Sequence, residues 1–461
     1  MDVPKDWPIS GKRCTCSATI ILPQLVQEMN TDTVEAKRES NSTVRVGTAG
    51  QVSTFAVHVT EWKRAFLERS FPERLFHFLP KTSTARDLER TWKPRILAEG
   101  ACELFVWGAD LPPALAEIAA EQNIPVSFVE DGFLRSMRPS ASRTPPLSLV
   151  LDSRTPYFDC RRPSDLEVLL STCDFEADAV LMERARAGIA LLLDSGISKY
   201  NGGPKRTAEE VYGAKTRKRV LVVGQVEDDA SIRYGCPSPM TNNDLVRLAA
   251  AEQPEAQILY KPHPDVLSRV RPARSDPAEV AHLCEVITES LPLAEALRTV
   301  DHVYTITSLA GFEALLRRIR VTTAGSPFYA GWGLTDDRQP NPRRDRSLSL
   351  EALFAGAYLI YPRYFDPVTG EEASFEATVA AIKRQLEKPD ARHPSRPAWH
   401  PWGPYGVLGW RHLLTAIVAP AIRRAGNDRD VEDFRTDPIG FFRGLSDRRL
   451  RLVGRLLYPF G

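Results

Sequence analysis

Long apolar runs are missing from this 461-residue sequence: no window approaches the roughly 18 apolar residues that a membrane-spanning helix needs. The first residues carry Asp2, Pro4, Asp6 and Pro8 and only one short apolar run, Ile20 to Leu22. The basic and apolar regions of a secretory signal are therefore lacking, and the expected compartment is the cytoplasm. Cysteine is sparse and odd in number, seven residues from Cys14 to Cys284 with only Cys14 and Cys16 close together. That excludes a disulfide framework and a paired-cysteine zinc site. Charge of one sign is lacking too: the formal net charge is +1, which leaves no global footprint for nucleic acid. There is no Walker loop, no G-x-G-x-x-G and no H-E-x-x-H, so NTPase, dehydrogenase and metalloprotease readings lose their signatures.

What is present is enough apolar material for two cores, 43% of the chain. Residues 1–51 are polar and without period, and read as a disordered extension. From Val52 on, strand-sized apolar runs alternate with helical periodicity: 103–108, 124–129, 147–151, 220–224, 258–261, 303–306 and 321–323. That alternation predicts an α/β protein with parallel sheets covered on both faces. The stretch SGISKYNGGPKR, 195–206, breaks a helical segment and is the expected linker. It divides the chain into two Rossmann-like domains facing a cleft, 52–200 and 207–388, with ligands at the carboxyl ends of the strands. Residues 389–461 form a basic, partly helical tail. From Ala391 to Gly461 there are 12 Arg and no Lys against 6 acids, a net +6 that leaves −5 for the rest. Phe441, Phe442, Leu445, Leu452, Val453, Leu456 and Leu457, with Arg443, Arg448, Arg449, Arg451 and Arg455, suit either an anionic membrane surface or a helix packed on the first domain.

Four clusters carry chemistry-bearing residues at strand ends. In Val129–Arg135 (VEDGFLR) two adjacent acids, Glu130 and Asp131, precede a glycine and Arg135. One acid kept neutral can donate a proton while its neighbour stays ionised, although a turn before a helix N-cap uses the same residues. In Gly224–Ser231 (GQVEDDAS) three successive carboxylates, Glu227, Asp228 and Asp229, follow Gln225. One could be a nucleophile, and a capping cluster reads equally well. In Tyr260–Asp265 (YKPHPD) Pro262 and Pro264 fix the backbone around His263, and Lys261 adds charge, a pairing suited to a phosphate. In Thr305–Glu313 (TITSLAGFE) small hydroxyl residues lead into a helix at Ser308, Leu309, Ala310 and Gly311. Its free N–H groups can hold an anion, and Glu313 can accept from ribose hydroxyls.

Taken in order, these phrases resemble the β-Kdo transferases of capsule polysaccharide synthesis, a family also described as capsule polysaccharide biosynthesis or export proteins. The resemblance rests on VEDGFLRS, PPLSLVLD, YFDCRRPSDLE, SKYN, VLVVGQVEDDASIRYG, YKPHPDV, TSLAGFEALLR, PFYAGWGLTDD and LIYPRYFDP, and runs from Trp62 to Asp366. It implies a GT-B-like glycosyltransferase that moves Kdo from CMP-Kdo to a glycolipid with retention. Asp229, closing Q-x-x-x-D, would be the nucleophile, with Asp228 as the neighbour. Glu130 would be acid/base, with Asp131 as the alternative. Lys261, His263 and the Ser308 helix start would hold the CMP phosphate, Glu313 the ribose, and Arg135 or Lys199 the donor carboxylate. A single phosphate does not require a bridging metal, so no metal or cofactor is expected. The implied partners are CMP-Kdo, a glycolipid acceptor and other capsule assembly proteins, and the composition of the tail adds the inner face of an anionic membrane as an expected surface. Two other readings remain: a transferase for another CMP-activated nonulosonic acid, and a non-catalytic export component. Longer relatives carry two such modules, and this chain has room for one.

Overall fold

The computed structural model describes residues 51–458, except 81–82, 84, 135–145, 198–205, 264–265, 267–273, 290, 367–368, 388–411, 426–430, 432–433, 436–437, 444 and 446–447. The expected N-terminal extension, most of the expected linker, and the site candidates Arg135, Lys199 and Pro264 lie outside the described residues. Thirteen strands are found among the described residues. In chain order they are β1 (Val52–Val57), β2 (Arg74–Phe78), β3 (Cys102–Trp107), β4 (Val126–Asp131), β5 (Ser148–Asp152), β6 (Arg219–Val223), β7 (Gln257–Lys261), β8 (Glu285–Val286), β9 (His302–Thr305), β10 (Arg320–Thr323), β11 (Asp336–Asp337), β12 (Pro362–Phe365) and β13 (Glu372–Ala373).

They form two sheets. The second is ordered β11-β10-β9-β6-β7-β8 and every pairing in it is parallel. Renumbered within the sheet this is the 3-2-1-4-5-6 order of dinucleotide-binding folds, whose switch point falls between the first and fourth strands, here β6 and β9. Strand β6 is buried along its whole length, as a run of RVLVV covered on both faces requires.

The first sheet departs from the all-parallel expectation. Its order is β13-β12-β5-β4-β3-β1-β2, with β2, β1, β3 and β4 parallel and β5, β12 and β13 joined antiparallel. Strands β12 and β13 come from the segment expected in the second domain, so the chain returns to the first sheet after finishing the second. Sequence order cannot reveal such a return, because the partners Pro362 and Val150 lie far apart in the chain. The largely buried β1, whose VSTFAV carries two polar residues, and the part-exposed β2 also escaped the reading of apolar runs. Alternation along β1 and β3 sends Phe55 and Leu104 to one face and Ala56 and Phe105 to the other, each face with its own cluster. The largest core joins the two sheets, taking in Val150, Leu166 and Leu170 together with Leu221, Leu259, Val303 and Phe312 around Phe354 and Tyr358.

The tail expectation divides. Phe441, Phe442 and Leu445 are buried with Ala419, Val431, Phe434 and Tyr458 in a small cluster of their own, whereas Leu452, Val453 and Leu456 are exposed. No helix among the described residues is long and apolar enough to cross a membrane.

Candidate active site

Because β7, β6 and β9 are neighbours in a parallel sheet, the loops that leave their carboxyl ends lie side by side. These loops are K-P-H-P, G-Q-V-E-D-D and T-S-L-A-G. Three of the four sequence clusters therefore meet at one sheet edge. Gly224 makes the approach of the first two possible: its N–H donates to Lys261 O at 2.9 Å, and a Cβ there would sit 3.0 Å from Pro262 Cα. Gln225 clasps the other side. Its Nε2 donates to Thr307 Oγ1 at 3.0 Å and its Oε1 accepts from Thr307 N at 2.8 Å, while Asn242 holds its backbone N–H and C=O. Gln225 is thus engaged in joining two loops across the switch point.

The three consecutive acids separate in role. Glu227 accepts from the N–H groups of Asn242, Arg274 and Ser275 and from Ser275 Oγ, which makes it a structural anchor. Asp229 caps the helix Ala230–Gly235, so the capping reading is fulfilled, but only one oxygen serves it. Its Oδ2 accepts from Ser231 N at 3.2 Å and Ser231 Oγ at 2.5 Å. Among the described residues Oδ1 accepts no hydrogen bond. Capping through one oxygen therefore fixes the carboxylate's orientation. Asp228 is half-buried beside it. Ser231 Oγ lies 3.4 Å from Thr307 Oγ1, which continues the network to the β9 loop.

Lys261 is half-buried at the end of β7, where burial lowers its ammonium pKa. Among the described residues no carboxylate pairs with it, so an incoming anion would offset the cost of that burial. His263 follows, half-buried, and its C=O accepts from Val266 N. Ser308 caps the helix Leu309–Leu316; its Oγ accepts from Ala310 N and its C=O from Gly311 N. Two of the helix-start donors are thereby used, and among the described residues no acceptor is found for Leu309 N–H or the Ser308 hydroxyl proton. Gly311 is required by Tyr329, whose OH donates to Ser308 O and whose Cζ would lie 2.9 Å from an added Cβ. Glu313 is 4% exposed and lines a small hollow with Leu134, Leu192, Ile197, Arg317 and Tyr358.

The first cluster sits differently from the expected turn. Glu130 and Asp131 are the last residues of strand β4, in register with Val150 and Leu149. They point to opposite faces. Asp131 pairs with Lys63 at 3.5 Å, and that ammonium also lies 3.3 Å over the Trp107 ring, so this acid belongs to the sheet's own packing. Gly132 continues against β5, where a Cβ would meet Ser148 Cβ at 2.8 Å. Phe133 then ties E-D-G-F to A-G-F-E, since Phe133 and Phe312 both pack on Phe328 and Tyr358 with ring centroids 4.7–5.4 Å apart. The helix capped by Asp229 makes a second bridge. Tyr234 OH donates to Asp110 Oδ1 at 2.6 Å, just beyond β3, and Tyr234 O accepts from Cys160 N at 3.1 Å.

Sequence reasoning missed the polar interlock behind the site. Glu167, 4% exposed, accepts from Arg343 Nε at 2.6 Å and Arg344 Nε at 3.0 Å, and Arg344 also donates to Pro327 O and Ala330 O. The only sequence signal was that Glu167 and Pro327 fall within two of the resembling phrases. Among the described residues no group of three or more His, Cys, Asp or Glu is placed to hold a metal ion.

A mixed sheet joined to a doubly wound parallel sheet, with polar loops gathered at the switch point of the latter, defines the chain as an α/β protein. The capsule polysaccharide biosynthesis protein family model matches residues 104–364, more than half the chain, and the protein belongs to that family. It is 45% identical over 335 residues to the lipopolysaccharide-processing protein LpsZ of Rhizobium meliloti, covering 72% of this chain and 74% of that one. It is 38% identical over 334 residues to the capsule polysaccharide modification protein LipA of Neisseria meningitidis, covering 72% of this chain but 45% of LipA, so it spans less than half of that relative. Among solved structures, it is similar to the β-Kdo 2,4-transferase of Thermosulfurimonas dismutans KpsC, at 33% identity and TM-score 0.59 over 71% of this chain and 98% of that one. The β-Kdo 2,7-transferase of the same KpsC gives 33% and 0.57 over 73% and 100%.

Proposed function

We propose that the chain is a retaining glycosyltransferase that moves Kdo from CMP-Kdo to a glycolipid acceptor in capsule assembly, working between two Rossmann-like domains of GT-B-like plan. The observation that carries this reading is Asp229, a carboxylate oriented through Oδ2 by Ser231, with no hydrogen bond to Oδ1 among the described residues, flanked by the Lys261 and Ser308 loops on adjacent strands. The likeness to KpsC transferases at 33% identity supports the choice of sugar.

In this reading Asp229 Oδ1 attacks the anomeric carbon and the bond to CMP breaks with its electron pair on the phosphate. Lys261, His263 and Leu309 N–H stabilise that departing charge. Glu130 then accepts the proton of an acceptor hydroxyl, which displaces Asp229 and restores the starting configuration. Glu313 meets the ribose. Gln225 positions the two loops, and Asp131 and Glu227 are structural. Because CMP carries one phosphate, the transfer proceeds without metal.

The test is transfer to a β-Kdo-terminated lipid, with CMP-Kdo and CMP-sialic acid as competing donors. Product from CMP-Kdo alone supports the reading. Product from the sialic acid donor alone moves the assignment to another nonulosonic acid, and no product from either returns it to an export component.

A further inference from the structure

The helix Arg448–Leu457 is held by one side and apolar on the other. Gly454 is buried against Phe442, where a Cβ would meet the phenyl ring, and Leu457 turns to the same small cluster. Leu452, Val453 and Leu456 lie away from Gly454 at about 100° per residue, with Arg449 among them, and are 59%, 43% and 68% exposed, whereas Leu450, 47% exposed, borders the held side one turn before Gly454. These are four of the eight large apolar residues that the described chain exposes, gathered on one ten-residue helix. The same helix contains Arg448, Arg449, Arg451 and Arg455 and no acid, and Arg449 and Arg455 are exposed. On the neighbouring helix His412–Ala425, Ile417 is 71% exposed, and Arg423 and Arg424 are exposed as well.

We propose that this face is a docking surface for an anionic lipid bilayer. Charge complementarity selects that occupant. An apolar stripe flanked by guanidinium groups, on a helix without a carboxylate, matches the boundary where acyl chains meet lipid phosphates. The leucines enter the acyl region and the exposed Arg455 extends to the phosphates as a bidentate donor, whereas Arg451 is turned inward onto Leu445 O. The inference stands independently of the transfer reading, since it concerns where the chain sits and not what it transfers.

The test is sedimentation of the full-length protein with vesicles of phosphatidylcholine alone or mixed with about 30% phosphatidylglycerol, at low and high salt. The surface predicts at least about tenfold tighter binding to the anionic vesicles, weakened by salt. The double variant L452S/L456S, altered only at exposed positions, abolishes binding, and R455E weakens it through charge alone. Unchanged thermal melting shows that both variants are folded. Equal binding to neutral vesicles, no binding by wild type, or binding unaffected by both variants overturns the proposal. So does sedimentation velocity that finds a dimer of the wild type dissolved by L452S/L456S, because the face would then be a self-association surface.

Discussion

Replacing Glu167 by alanine should unfold this protein more readily than any exposed acid would. Glu167 and Arg344 are 4% and 7% exposed and separated by 177 residues, so their contact pins the segment after β11 onto the helix Asp165–Thr172. Burial lowers the Arg344 pKa and the Glu167 carboxylate opposes that shift. With the carboxylate gone, Arg344 keeps Pro327 O and Ala330 O but no counter-charge, and Arg343 keeps Cys160 O. Breaking a buried pair from one side costs about 3–5 kcal/mol. With an unfolding entropy of about 2.1 cal/mol/K per residue over about 400 folded residues, this lowers the melting temperature by about 4–6 °C. Calorimetry of E167A, R344M and the double variant measures the coupling directly. The two changes should be far from additive, because R344M also removes the charge that E167A strands. A melting temperature within about 2 °C of wild type for E167A, or a coupling energy below about 1 kcal/mol, refutes the reasoning.

Two buried groups should give opposing pH slopes. Asp152 is pushed up to about 6 by burial and the nearby Asp165 carboxylate, so the folded state retains a proton that the unfolded chain releases near 3.8. Its contribution, about 3 kcal/mol, is complete below pH 3.8 and is lost as pH rises through 6. His302, packed on Tyr304 and bonded to Thr322 Oγ1, is lowered to about 4 by burial. Its contribution is present above 6.5 and lost as pH falls toward 4. Urea titrations from pH 4 to 7 should therefore be nearly flat for wild type with respect to this pair, rise with pH for D152N and fall for H302Q. Gly311→Ala should cost about 1–3 kcal/mol by driving a methyl into Tyr329, and Y329F in the same chain should recover part of it in denaturant melts. Excess chelator should leave transfer from CMP-Kdo unchanged, and loss restored by a divalent ion would contradict the single-phosphate argument.

The second sheet was the more legible half. Its longer strands carry short apolar or β-branched stretches ending in polar loops, so periodicity located β6, β7, β9 and β10 within a residue or two, whereas the two-residue β8 and β11 left no run to read. Their side-by-side order is a matter of topology, and the sequence could only list the loops without making Gln225 meet Thr307. The first sheet was harder because β2 is half-exposed and β12 arrives from 210 residues further on than β5's Asp152. Chemical type offered a nucleophile or a capping cluster among the three adjacent acids without telling them apart. Only hydrogen bonding separated Glu227, which holds three backbone N–H groups, from Asp229. Likewise the E-D-G glycine read as a turn signal, whereas Gly132 is small because β5 passes against it. In the tail, composition gave the right mixture of arginine and apolar residues, but which of them face the local cluster depended on Gly454 meeting Phe442.

The most direct test of the account is intact-mass and peptide mass spectrometry of the protein mixed with CMP-Kdo alone, for wild type, D229A and E130Q. The account predicts release of CMP and a gain of one Kdo residue on the peptide bearing Asp229 in wild type. It predicts accumulation of that adduct in E130Q, and neither CMP release nor adduct in D229A. CMP release by D229A at the wild-type rate, or an adduct on another residue, would contradict it.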